Sequence, residues 1–151
     1  VIFVECESDK VLLKALGIPS KEVKHAYGKG NICNKLERSR NFKGLVDEDP
    51  YSIQPSYMRN LQLHLNENDI KVLYNETNQN TLNLLCPNLE KWFLKAVKEE
   101  NVDIKKYGLP DDVDKLHKAI NTKVINFENL IKDIMGRSKE FKTLKKVIKE
   151  N

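Results

Sequence analysis

Apolar residues come in short blocks along this chain, and their spacing changes from block to block. VIFVE (1–5) is a continuous β-branched and aromatic run, the pattern of a buried strand. Ser8 stands where a helix cap belongs, and Val11, Leu12, Ala15 and Leu16 then share one helical face. Gly17 and Pro19 close that helix. EVKHAY (22–27) reads as a second strand, GKG (28–30) turns the chain into a helix near 31–40, and FKGLVD (42–47) is a third strand. Pro50 and Pro55 bracket a loop, after which SYMRNLQLHL (56–65) has Tyr57, Leu61 and Leu65 at helical spacing. DIKVLYN (69–75) and TLNLLC (81–86) are further strands, split by the polar ETNQN.

This alternation predicts an α/β fold, a mostly parallel sheet of about 4–5 strands with helices on its faces. After Pro87 the pattern is purely helical. NLEKWFLKAV puts Leu89, Trp92, Phe93 and Ala96 on one face. A helix follows Asp111–Asp112, another spans roughly 124–135 before Gly136, and the last begins at Ser138. The reading is an α/β core over 1–86 and a helical C-terminal extension over 87–151, packed together in one domain. A chain of 151 residues suits that size.

Composition excludes several classes. Hydrophobic residues at 40% and charged residues at 32% describe an ordinary globule. No apolar run approaches the roughly 18 residues of a membrane span, and no secretory signal pattern is visible. Cys6, Cys33 and Cys86 are odd in number and lack metal-site spacing, so reduced thiols in a cytoplasm are expected. They read as small buried hydrophobes. His25, His64 and His117 are scattered, which argues against structural zinc.

The net charge of +4 is unevenly placed. Residues 101–151 carry twelve Lys/Arg against eight Asp/Glu, whereas 1–50 carry nine against eight. Within the last helix Lys142, Lys145, Lys146 and Lys149 form a stripe opposite Phe141, Leu144, Val147 and Ile148. Such a stripe is ordinarily a solvated face. A nearby anion-handling site would give it a second reading, as a set of phosphate contacts. GKG lacks Walker spacing, but its amides at a helix start suit a phosphate, with Lys29 as a candidate contact.

The candidate chemistry is acidic. Ligands of open α/β sheets bind beyond the carboxyl ends of the strands, where Glu5 ends the first strand and Asp47 the third. GLVDEDP (44–50) adds Glu48 and Asp49. Two like charges about 4 Å apart cost roughly 4 kcal/mol at a surface-like dielectric. In a still-extended DED, Asp47 and Asp49 point the same way and Glu48 points to solvent. Oxygen ligands that repel on one rim suit a hard divalent cation, Mg²⁺ or Mn²⁺.

VECESDKVLLKAL followed by GLVDEDP resembles the TOPRIM domain of topoisomerases, bacterial primases and OLD-type nucleases. The match covers about residues 1–90. It implies a Rossmann-like sheet with Glu5, Asp9, Asp47 and Asp49 as metal ligands, joined by Glu90 of CPNLEKW. It further implies a nuclease acting on DNA or RNA. Glu5, Asp47 and Asp49 would be catalytic, and Lys139 or Lys142 would stand for a late lysine. One departure is Cys6, where the family usually has Gly. Small standalone TOPRIM proteins often accompany phage-defence or mobile-element systems, which implies a protein partner. The alternative is a non-catalytic TOPRIM-like module that binds nucleic acid or protein.

Overall fold

The computed structural model describes residues 1–150. The apolar runs become β1 (Ile2–Val4), β2 (Val23–His25) and β3 (Lys43–Asp47), alternating with α1 (Glu7–Ala15) and α2 (Lys29–Glu37). Next come β4 (Gln62–Glu67), β5 (Ile70–Asn75) and β6 (Asn80–Leu85). The rest is helical: α3 (Leu89–Glu99), α4 (Val113–Thr122), α5 (Val124–Ile134) and α6 (Lys139–Lys149). Asn88, Asp112 and Ser138 cap α3, α4 and α6 through side-chain oxygens, each satisfying a backbone N–H that the helix cannot. Among the described residues, no helix is long and apolar enough to cross a membrane.

The sheet has six strands in the order β2-β1-β3-β6-β5-β4. β2, β1, β3 and β6 run parallel, with Val4 beside Leu45 and Asp47 beside Leu85. β5 and β4 are antiparallel. The sheet is therefore mixed, where the sequence predicts a mostly parallel one with fewer strands. The difference lies in residues 56–65. A short 3₁₀ turn at Ser56–Asn60 seats Tyr57, and the expected helix gives way to β4. Leu61, Leu63 and Leu65 also alternate with polar residues, and that period-two signal wins because β4 can pair with β5. Asn68 and Asp69, with φ of 52° and 58°, form the tight turn between them, a backbone that Asn and Asp tolerate.

Alternate residues of each strand serve opposite faces. Ile2, Val4, Leu45, Leu85, Ile70 and Val72 pack beneath α1 and α3–α6. Phe3, Val46, Leu82 and Leu84 meet Ile32, Cys33 and Leu36 of α2. Gly44 permits that approach, since a Cβ there would lie 2.8 Å from both Ile32 and Leu82. The first cluster runs without a break from Ile2 to Ile148, so the helical extension shares the core of the α/β part. Within it the Trp92 ring meets Phe141 edge-on at 5.2 Å, and the indole Nε1–H donates to the Asn68 carbonyl at 3.2 Å.

Candidate functional site: a carboxylate cluster on the sheet rim

The parallel strands set α1, α2 and α3 going from one rim, after β1, β2 and β6. Their N-termini carry partial positive charge toward that rim. Glu5 follows β1 directly and its Oε1 accepts the Asp47 backbone N–H at 2.9 Å, tying the ends of neighbouring strands. Asp47 closes β3 and its Oδ1 accepts the Leu89 N–H at 2.9 Å, at the start of α3. Asp9 sits in the first turn of α1, where Oδ2 accepts from the Cys6 N–H and the Cys6 thiol, each at 3.3 Å. Glu90, in the first turn of α3, lies 2.7 Å from Nδ1 of His117 on α4. The extension thus contributes to the rim.

Each of Glu5, Asp9 and Asp47 keeps one oxygen that takes no hydrogen bond from the described residues. For Asp9, only 2% exposed, that oxygen is fully buried and unpartnered, an arrangement that calls for an explanation. Burial pushes the Asp47 carboxyl up to about 8, and the charges of Asp9, Glu5, Glu90 and Asp49 add to it. Asp9 is pushed up to about 7, chiefly by burial and in part by Glu5 and Glu90, against the contrary effect of the Cys6 thiol. Glu5 is raised by burial, opposed by its bond from Asp47 and by the Lys29 charge. Burial and mutual repulsion thus favour the protonated forms of Asp9 and Asp47.

Among the described residues, no group of three or more His, Cys, Asp or Glu side chains is arranged to hold a metal ion. The chemistry of the donors nevertheless fits one. They are oxygens only, they repel one another, and one buried oxygen has no partner.

The rim therefore gathers Glu5, Asp9, Asp47 and Glu90. Asp49 does not form the expected same-side pair with Asp47, because β3 stops at Asp47 and the chain turns to φ 43° at Asp49. Asp49 is exposed, and among the carboxylates it raises Asp47 least. Glu48 is not solvent-facing either; it pairs with Lys71. Lys29 opens α2 and donates to the Glu48 carbonyl and to Gln54 Oε1, both at 2.9 Å. Burial pushes the Cys6 thiol up to about 12, so it stays protonated as a donor to Asp9.

Lys139 lies elsewhere, 3.8 Å from Glu99. Glu99 is nine residues along α3 from Glu90, about 13 Å at helical rise. The other lysines follow α6, which runs from Asn68, bonded to Thr143, to the start of β3, where Lys43 donates to the carbonyls of Val147 and Ile148. Lys142 is exposed near the first of these points, Lys145 follows half-buried, and Lys146 and Lys149 are exposed toward the second, at the opposite end of β3 from Asp47.

Sequence reasoning missed four neighbours of the rim. His117 and Gln54 carry no local signal, since tertiary packing alone brings them in. His25 and Tyr27 do carry one: they alternate along EVKHAY beside the GKG turn. The His25 Nε2 lies 2.9 Å from the Glu5 carbonyl, and its ring stacks on Tyr27. No protein-family description, curated protein or solved structure matches the chain.

Proposed function

We propose that the rim is the centre of a metal-dependent nuclease of TOPRIM type, hydrolysing phosphodiesters of DNA or RNA. The observation that carries this reading is the meeting of Glu5, Asp9, Asp47 and Glu90, with the unpartnered oxygen of Asp9 among them. Glu5, Asp9, Asp47 and Glu90 would hold Mg²⁺ or Mn²⁺, with Asp49 at the outer edge. Such an ion, when bound, polarises a phosphate and makes water a stronger nucleophile. The chain's own part is positional. Glu5 and Asp47 lock the ends of β1 and β3 together. The starts of α1, α2 and α3 favour an incoming anion, and Lys29 is the cation nearest to Glu5 in effect.

The order of the motifs supports the reading: a strand followed directly by Glu, then a helix, then a later strand ending in Asp. A role in phage defence and a cytoplasmic setting belong to the same proposal. The test is cleavage of plasmid and of structured RNA with Mg²⁺ or Mn²⁺, beside calorimetric titration with Mn²⁺. Wild type should cleave and bind; Glu5→Gln and Asp47→Asn should remain folded and lose activity by at least about 100-fold. A wild-type chain that neither cleaves nor binds Mn²⁺ overturns the reading.

One observation favours a second reading, a non-catalytic module for nucleic acid or protein. Glu5, Asp9 and Asp47 each spend an oxygen on a nearby backbone N–H, the behaviour of groups that fix strand and helix ends. The stability of Asp47→Asn, taken up below, separates the two.

A further inference from the structure

Tyr27 is 77% exposed, yet its ring is not loose. It lies on the His25 imidazole with centroids 4.0 Å apart and planes 23° from parallel. His25 is itself held, with Nε2 2.9 Å from the Glu5 carbonyl oxygen and Nδ1 3.8 Å from Glu7. One face of the Tyr27 ring is thus backed by an aromatic pinned to the end of β1, and most of the ring remains open to solvent. The backbone is bent to achieve this. Tyr27 has φ 49° and Gly28 φ 114°, and Asn31 Nδ2 holds the Tyr27 carbonyl at 3.0 Å. A left-handed backbone is an outlier for so bulky a residue, and such conformations gather where a site requires them.

Lys29 stands two residues further on. The loop that crosses the start of α2 brings the exposed Ile53 over it, and Lys29, Gly30, Ile53 and Gln54 line an open cleft of about 370 Å³. An open aromatic face, a cation and an uncovered cleft beside a carboxylate rim are the parts of a single-strand subsite. Unpaired bases stack on such rings whatever their identity, while the backbone follows the positive charge. A duplex offers no free base face. We infer that Tyr27, backed by His25, is the stacking ledge for an unpaired base of single-stranded nucleic acid, with Lys29 taking the adjoining phosphate. The ledge names the substrate of the proposed nuclease and rests on that reading.

The test uses the full chain in chelator, so that binding is measured without cleavage. Fluorescence anisotropy follows a labelled oligo-dT, an oligo-rU and a blunt duplex of roughly 12 nucleotides, within the span of such sites. Wild type should prefer the single strands, and the tighter of the two names the natural strand. Tyr27→Ala and Tyr27→Leu should each weaken single-strand binding about 10-fold, and Tyr27→Phe less than about 2-fold, because a π face is what the base needs. Circular dichroism verifies folding, and Mn²⁺ titration by calorimetry should not change in any variant. Equal binding of wild type and Tyr27→Ala overturns the ledge, as does equal affinity of wild type for duplex and single strand. If Mn²⁺-dependent cleavage persists in that event, the nuclease reading stands without it. If instead the ledge behaves as expected but wild type neither binds Mn²⁺ nor cleaves, the nuclease reading alone falls.

Discussion

Asp47 accepts the first N–H of α3 with one oxygen, and its carboxyl feels the charges of four others, Asp9, Glu5, Glu90 and Asp49. Its ordinary pKa is 3.8, and in the fold it is pushed up to about 8. Between those values the folded chain keeps a proton that the unfolded chain has released. Stability therefore falls as pH rises through that window and levels off above it. Asp9, pushed up to about 7 from the same ordinary value, acts in the same direction. In chelator the melting temperature should thus decrease from about pH 5 to about pH 8. Asp47→Asn keeps an oxygen for the Leu89 N–H and removes a charge. It should flatten the decrease and melt at or above wild type near pH 8. Mn²⁺ should then raise the wild-type melting temperature much more than the variant's, through binding to the folded state. A variant that loses well over about 1 kcal/mol in chelator would make Asp47 a structural cap, and the second reading would take its place.

At the scale of elements, what was legible in the sequence was local. β1 announces itself as a continuous apolar run and β3 as the shorter GLV, so the sequence places Glu5 and Asp47 at strand ends. Asn88, Asp112 and Ser138 stand just before apolar helical spacing and cap their helices, whereas Ser8, the residue whose type suggests a cap, lies inside α1 and Cys6 holds the cap position. The β4 segment is ambiguous in the sequence because Tyr57, Leu61 and Leu65 satisfy both periods, and only pairing with β5 decides between them. Asp49 departs from the extended pattern because the backbone turns once past the last paired residue, Asp47. The lysines of α6 were legible as a stripe, but their place was not. Since Lys146 and Lys149 end up by the start of β3, that end of the stripe should stand off the rim, while Lys142 lies by the β4–β5 turn at the Asp47 end of the sheet. Changing Lys146 and Lys149 to Gln should leave the salt dependence of binding a short single strand unchanged. A slope reduced by about 0.7 per lost contact would put α6 on the path of the phosphates.

Across the whole molecule, the rim draws Glu5, Asp9 and Asp47 from one half of the chain and Glu90 and His117 from the other. The same holds for the core, where Val4, Leu45, Ile70 and Leu85 lie in one cluster with Phe93, Phe127 and Phe141. Burying a large apolar side chain contributes roughly 1.5–3 kcal/mol. Stripping the cover from several of them costs on the order of 10 kcal/mol, comparable with the entire net stability of a domain. A fragment of residues 1–86 should therefore not fold alone. The full chain should unfold in urea as one cooperative transition, with far- and near-ultraviolet circular dichroism coinciding. Two separated transitions, or a folded fragment, would show that the extension is dispensable.

Trp92 is the chain's single tryptophan, and it sits on α3 two residues from Glu90 with its indole bonded across to the turn between β4 and β5. The protein consequently carries its own fluorophore on the helix that bears Glu90. Emission from that indole shifts to longer wavelength when water reaches it, so the red shift during denaturation reports the loss of the shared core that seats α3. A cation or a strand that tightens α3 onto the rim would change the quenching of the same signal. Titration of Mn²⁺ against that emission would then test the proposed site without a label on the protein.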